Sequence, residues 1–251
     1  MLLRIEGLSK HFGGIKAVDE CSFDICRKQI VGLIGPNGSG KTTLFNLISA
    51  VYAADSGKIY FKGVDITRRE PYEISIMGIG RTFQLTRLFP KMTVLENVMT
   101  APKKQRGEGV LLGLLRPPSV RKQEDAIKGK AQELLQSVGL IHLENESASN
   151  LSYGQQKLLE LSRIMMTEPD LLLLDEPFAG VNPVIANKLI EVLNELNQRR
   201  ELTIIIIEHI MKIVMSIAER IIVLNHGKKL AEGPPQDIQR NEEVIEAYLG
   251  V

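Results

Sequence analysis

Eight consecutive residues, Gly35-Pro36-Asn37-Gly38-Ser39-Gly40-Lys41-Thr42, combine three glycines with a terminal lysine and hydroxyl. They fit the pattern G-x-x-x-x-G-K-[ST] in full. Glycines let successive backbone N–H groups turn inward around an anion. A helix beginning there adds the partial positive charge of its N-terminus. In such a loop Lys41 reaches the β- and γ-phosphates of a nucleoside triphosphate, and the Thr42 hydroxyl holds Mg²⁺. Thr43 can donate to the α-phosphate. A second run, Leu171-Leu172-Leu173-Leu174-Asp175-Glu176, closes an apolar stretch with two carboxylates. Ligands of parallel sheets lie at the carboxyl ends of the strands. Asp175 is therefore placed to orient Mg²⁺ through water. Glu176, one residue on, can polarise an attacking water. Together the two motifs point to a nucleoside triphosphatase, without saying of which kind.

These residues need elements to position them. Ile30–Ile34, Leu171–Leu174 and Thr203–Ile207 are apolar on both faces. Strands of that type belong to a parallel sheet covered by helices. Helical patterns lie between them over Gly40–Ala50, Gln155–Met166 and Pro183–Gln198, which is the alternation of an α/β fold. The N-terminal strands differ. Leu2–Glu6, Ala17–Ile25 and Lys58–Gly63 alternate polar and apolar residues, as half-exposed antiparallel strands do. Gly13-Gly14 marks a turn between the first two. Asn225-His226-Gly227 marks a hairpin between Ile221–Leu224 and Lys229–Ala231, and Glu242–Leu249 reads as a terminal helix. From about Thr93 to Leu151 there is no strand signal. Gln123–Val138 is amphipathic, with Ala131, Leu134, Leu135 and Val138 on one face. The basic stretch 103–122 could face a phosphate-rich partner, but reads better as a solvated loop. The expected architecture is one α/β core over 1–88 and 160–251, with a helical subdomain inserted over about 89–159.

Composition narrows the function classes. The chain has 251 residues, with 31 Lys+Arg against 30 Asp+Glu, a net charge of +1. That balance argues against a protein that holds nucleic acid through bulk positive charge. Hydrophobic residues make up 44% with 5% aromatic and no Trp, an aliphatic excess suited to buried parallel strands. No run approaches the roughly 20 apolar residues that span a bilayer. The N-terminus lacks the basic start and apolar core of a cleaved signal peptide. Cys21 and Cys26 are too few for a disulfide framework or a metal site, and are expected to be plain buried thiols.

The feature that decides the kind of triphosphatase lies between the two motifs. Leu151-Ser152-Tyr153-Gly154-Gln155-Gln156 introduces a helix, with Ser152 and Gln155 at capping-box spacing. It resembles the signature motif of ATP-binding cassette (ABC) ATPases, whose usual form is Leu-Ser-Gly-Gly-Gln; Tyr153 replaces the first glycine. Other family motifs follow the expected order. Phe12 stands where the family places an aromatic that stacks on adenine. Gln84, in Arg81-Thr82-Phe83-Gln84, matches the glutamine loop that reaches Mg²⁺ and the attacking water. Ala179-Gly180-Val181-Asn182 matches the D-loop, with Asn182 where many members carry Asp. His209 matches the switch histidine, followed by Ile210 where close relatives carry Asp. The resemblance covers essentially the whole chain. Arg81–Pro90, Met92–Val98, Asp175–Pro183 and Val244–Gly250 are similar to the branched-chain amino acid importer ATPases of the LivG type. Urea importers and the lipopolysaccharide-export ATPase share much of this.

The resemblance implies a mechanism. Two cassettes close head to tail around two ATP·Mg²⁺. Each ATP lies between Lys41, Thr42 and Glu176 of one subunit and Ser152, Gly154 and Gln156 of the other. Residues Gly35 to Thr43 cradle the phosphates, Glu176 acts as general base, and Thr42, Gln84 and Asp175 serve the metal. His209 and Gln84 sense the γ-phosphate. The partners implied are a second cassette, most simply a paralogue and otherwise a second copy of this chain, membrane permease subunits contacted near Gln84, and indirectly a substrate-binding protein. The cassette would then work at the cytoplasmic face of the membrane, powering uptake of branched-chain amino acids or similar solutes. A soluble non-transport ABC protein would need tandem cassettes or long insertions, for which this chain has no room. A P-loop kinase would leave the signature helix and Gln84 unexplained.

Overall fold

The computed structural model describes residues 1–82, 88–103 and 117–249. The chain divides into two compact units. The first holds 1–84, 170–179 and 193–251, and the second 85–169 and 180–192.

The first unit is built on two sheets. Strands β1 (Leu3–Phe12), β2 (Ile15–Ile25), β4 (Ser56–Phe61) and β5 (Val64–Asp65) form an antiparallel sheet in the order β2-β1-β4-β5. The other sheet contains β3 (Ile30–Ile34), β6 (Ile79–Arg81), β7 (Leu171–Asp175), β8 (Thr203–Ile207), β9 (Arg220–Asn225) and β10 (Lys228–Gly233), in the order β10-β9-β3-β8-β7-β6. Its pairs are parallel except for the β9–β10 hairpin. β3, β7 and β8 are buried along their whole length, as the aliphatic runs require.

Period-two alternation splits the core between the sheet's faces. Ile222 and Leu224 of β9 join Val31, Leu33, Leu171, Leu173, Ile205 and Ile207 in one cluster. It includes Leu44, Phe45 and Ile48 of helix α1 (Lys41–Ile48) and the inner face of the antiparallel sheet. Ile221 and Val223 point the other way. They join Ile34, Val214 of a helix over Met211–Ile217, and Val244 of a terminal helix over Glu242–Leu249. The hairpin at Asn225-His226-Gly227 is confirmed, with His226 and Gly227 both at positive φ, as a two-residue turn demands.

The second unit is helical. It contains α3 (Val94–Met99), α4 (Pro118–Ser137), α5 (Tyr153–Met165) and the start of α6 (Pro183–Arg200); α2 (Pro71–Met77) belongs to the first unit. Helix α3 opens on a capping box between Thr93 and Glu96. Helix α4 buries Ala131, Leu134 and Leu135, with Val138 buried just beyond, the face its periodicity indicates. It begins at Pro118, inside the stretch expected to be a loop; residues 104–116 lie outside the described residues. One expectation is corrected. Cys21 is buried in β2, but Cys26 sits one residue past the strand end and is exposed.

Candidate active site

Parallel strands bring their carboxyl ends to one edge of the sheet. β8 lies between β3 and β7, and β6 flanks β7. The segments leaving β3, β7 and β8 therefore emerge side by side. They carry Gly35–Lys41, Asp175-Glu176 and Glu208-His209.

The glycine loop is shaped by close backbone approach. Gly35, Gly38 and Gly40 have φ of 147°, 78° and 100°. A Cβ on Gly35 would stand 2.0 Å from the Leu224 carbonyl oxygen, and one on Gly40 would stand 2.1 Å from that of Ala17. Gly38 has open space around it. Lys41 is buried and folds back over the loop. Its Nζ donates to the carbonyls of Gly35 at 2.9 Å and Pro36 at 2.8 Å, and to Ser39 Oγ at 3.3 Å. Burial pulls the Lys41 ammonium below its usual range, opposed by the nearby Glu176 and Asp175 carboxylates. Thr42 and Thr43 open α1, with Thr42 exposed; Pro36 is partly exposed and Asn37 exposed. Helix α1 starts on Gly40 with no side-chain cap. Its N-terminal N–H groups are available to an anion.

At the end of β7, Asp175 is buried, its N–H donating to Thr82 Oγ1 at 3.2 Å. Arg81 lies 3.4 Å from the Asp175 carboxylate and donates to Asn46 and Ser49 of the α1 region. Glu176 adopts a left-handed φ of 49°, unusual for a residue other than glycine. Its N–H donates to the Ile207 carbonyl at 2.9 Å, and its Oε1 lies 2.7 Å from His209 Nε2. The expected base and the expected switch histidine are thus paired directly.

Glu208 holds this arrangement in place. Its buried carboxylate accepts from the N–H groups of Phe178 at 2.8 Å, His209 at 3.0 Å and Ile210 at 3.4 Å. It ties the segment after Glu176 to the segment carrying His209. Burial pushes the Glu208 carboxyl above its usual range. The roles of Arg81 and Glu208 are not visible in the sequence, because neither matches a spacing pattern. The signal was indirect: each ends or follows a parallel strand on the site's edge. Gln84 lies outside the described residues. Phe12 ends β1, exposed, with Tyr52 edge-on at a centroid distance of 5.3 Å.

Among the described residues, no group of three or more His, Cys, Asp or Glu is arranged to hold a metal. Asp175 and the Thr42 hydroxyl nevertheless suit Mg²⁺, a hard cation. It characteristically takes one or two protein oxygens and completes its shell with phosphate and water.

The second unit carries the signature segment. Ser152 caps α5: its Oγ accepts from Gln155 N–H at 3.4 Å, and Gln155 Oε1 accepts from Ser152 N–H at 2.9 Å. Gln156 donates to the Leu151 carbonyl at 3.2 Å. A Cβ on Gly154 would stand 3.0 Å from Ile185 Cγ2 of α6. Tyr153, in the place of a glycine, lies against Gly180 and under the Lys157 ammonium at 5.5 Å. Asn182 Oδ1 accepts from Ile185 N–H at 3.0 Å, so this residue caps the start of α6.

Residues 18–179 match the ABC transporter family, and residues 228–251 match the family described as branched-chain amino acid ATP-binding cassette transporter. The chain is similar to the high-affinity branched-chain amino acid transport ATP-binding protein LivG of Escherichia coli (strain K12). The two are 43% identical over 249 residues, 99% of this chain and 98% of LivG. It is 41% identical over 249 residues to BraF of Pseudomonas aeruginosa, again covering 99% and 98%. Among solved structures it is similar to the ADP conformation of MJ1267, an ATP-binding cassette of an ABC transporter. The TM-score is 0.85 at 37% identity, covering 100% of this chain and 99% of the other. A P-loop closed over Lys41, an Asp-Glu pair at the end of β7, a histidine beside that glutamate and a capped signature helix are thus found in a sequence aligned end to end with transport cassettes, and the chain belongs to the ATP-binding protein family of ABC transporters.

Proposed function

We propose that the chain hydrolyses ATP at the edge formed by β3, β8 and β7, and that this powers uptake of branched-chain amino acids through a separate permease. The observation that carries the reading is the Glu176–His209 pair at 2.7 Å, on the same strand edge as the buried Lys41. Gly35 to Thr43 bind the phosphates, and Lys41 exchanges its loop carbonyls for β- and γ-phosphate oxygens. Thr42 and Asp175 would hold Mg²⁺, joined by Gln84, and the ion would neutralise charge on the transferring phosphoryl group. Glu176 takes a proton from the attacking water, and His209 fixes the orientation of its carboxylate. Phe12 receives the adenine.

The signature residues Ser152, Gly154 and Gln156 complete the site of a second cassette in a head-to-tail dimer. The working partner is a second cassette, a paralogue or a second copy of this chain, and both lie at the cytoplasmic face of the membrane beneath the permease. Support for the cargo is the similarity to LivG and BraF over nearly the whole chain.

Phosphate release from ATP by the purified chain, with no acceptor added, tests the enzymatic reading. Lys41→Ala should lose both ATP binding and turnover. Ser152→Arg should keep binding and lose turnover, whereas a kinase acting on a metabolite would be indifferent to it. For the cargo, ATPase activity in proteoliposomes with the permease and binding protein should rise with leucine or valine. Stimulation by urea alone would reassign it.

A further inference from the structure

The terminal helix (Glu242–Leu249) reaches the phosphate loop through one side chain. Tyr248 Oη accepts a hydrogen bond from the N–H of Gly35 at 2.8 Å. Gly35 is buried, and it lies one residue beyond the last registered β3–β9 pair, Ile34 with Val223. A buried backbone N–H needs a partner. Here it comes from a residue 213 positions along the chain. Gly35 also offers its carbonyl to Lys41 Nζ at 2.9 Å. One residue therefore takes the terminal helix on its N–H and the phosphate-binding lysine on its carbonyl.

The helix is well placed to hold that contact. Asn241 Oδ1 accepts from Val244 N–H at 3.1 Å at its start. Val244 packs in the same cluster as Ile34, which precedes Gly35 in the chain. The loop itself cannot rearrange freely around Gly35, whose backbone stands against the Leu224 carbonyl.

We infer that Tyr248 is a positioning residue for the phosphate loop, and that its hydroxyl holds Gly35 in the geometry that receives the nucleotide. The inference rests on the proposed nucleotide site. A ring without the hydroxyl would leave the Gly35 N–H unsatisfied and the loop less well ordered before binding. The loss should appear in nucleotide affinity, because Tyr248 is not placed to touch the reacting atoms.

The test is equilibrium titration of the full-length chain with a fluorescent ATP analogue, alongside steady-state turnover. Wild type must bind the analogue and Lys41→Ala must not; if wild type fails to bind, the nucleotide site itself is wrong. Tyr248→Phe is expected to weaken binding about five- to ten-fold, the size of one hydrogen bond. KM should rise equally, with kcat held within about two-fold. Tyr248→Leu, which removes the ring as well, should weaken binding at least as much. A change of less than about three-fold in Tyr248→Phe would overturn the inference, whether Tyr248→Leu binds normally or not, because the hydroxyl would then be doing nothing for the loop.

Discussion

At the scale of single residues, the structure separates side chains that look equivalent in the sequence. Cys21 and Cys26 are the clearest case. Burial pushes the Cys21 thiol up to about 11, whereas Cys26 is exposed beyond the strand end. Reactivity follows the thiolate and its access. A thiol reagent should therefore modify one cysteine per native chain, at Cys26, and two after denaturation, as a chromogenic thiol count will show. Glu208 illustrates a different point. Its two oxygens accept three N–H groups from the segments that follow β7 and β8. A glutamine there would present a donor to one of those N–H groups. Misplaced catalytic segments can cost up to about a hundred-fold. Glu208→Gln should accordingly lower kcat about ten- to hundred-fold while ATP binding through the Gly35–Lys41 loop persists, measured by turnover and titration on the same preparation. Asn182 shows why a departure from the family pattern can be harmless locally. Its side chain caps α6, a duty that an aspartate or an asparagine performs equally.

At the scale of elements, the phosphate loop predicts a sharp contrast among its glycines. Gly38→Ala meets nothing within 4 Å and carries only the cost of a left-handed residue, about 1–2 kcal/mol. Gly40→Ala adds a Cβ 2.1 Å from the Ala17 carbonyl oxygen, so backbone must move. It should cost more than about 3 kcal/mol, read from the urea midpoint, and should also cost ATP binding. The long or strongly patterned elements are legible in the sequence alone. The aliphatic strands around Val31, Leu172 and Ile205, the α4 face through Leu134 and the capped start at Ser152 all follow from period and capping chemistry. Shorter elements are not. β6 is three residues with a central glycine, Ile79-Gly80-Arg81, and exists because β7 pairs with it rather than through its own propensity. With β6 unseen, Arg81 had no reason to stand beside Asp175. The register of β3, β8 and β7, which brings Lys41, Glu176 and His209 to one edge, is likewise a long-range fact that no local pattern contains.

At the scale of the whole molecule, the proposed catalytic residues and the signature residues fall in different compact units. Lys41, Asp175, Glu176 and His209 belong to the first unit, and Ser152, Gly154 and Gln156 to the second. No helix among the described residues is long and apolar enough to cross a membrane. In the proposed cycle two chains supply each other's signature residues, so occupancy of the site and association of chains are linked. Sedimentation of a hydrolysis-deficient chain, alone or with its paralogue, should show dimers with ATP and monomers with ADP. Ser152→Arg in that background should remain monomeric in both.

In the proposed reaction Glu176, held by His209 at the end of β7, activates the water that attacks ATP. The most direct measurement is turnover of Glu176→Gln with ATP binding measured on the same protein. The glutamine keeps the size of the side chain and its capacity to pair with His209, and removes only the basicity. ATP affinity should stay within about two-fold of wild type and turnover should fall about 10²- to 10⁴-fold. Turnover at the wild-type rate with ATP bound would show that Glu176 is not the base.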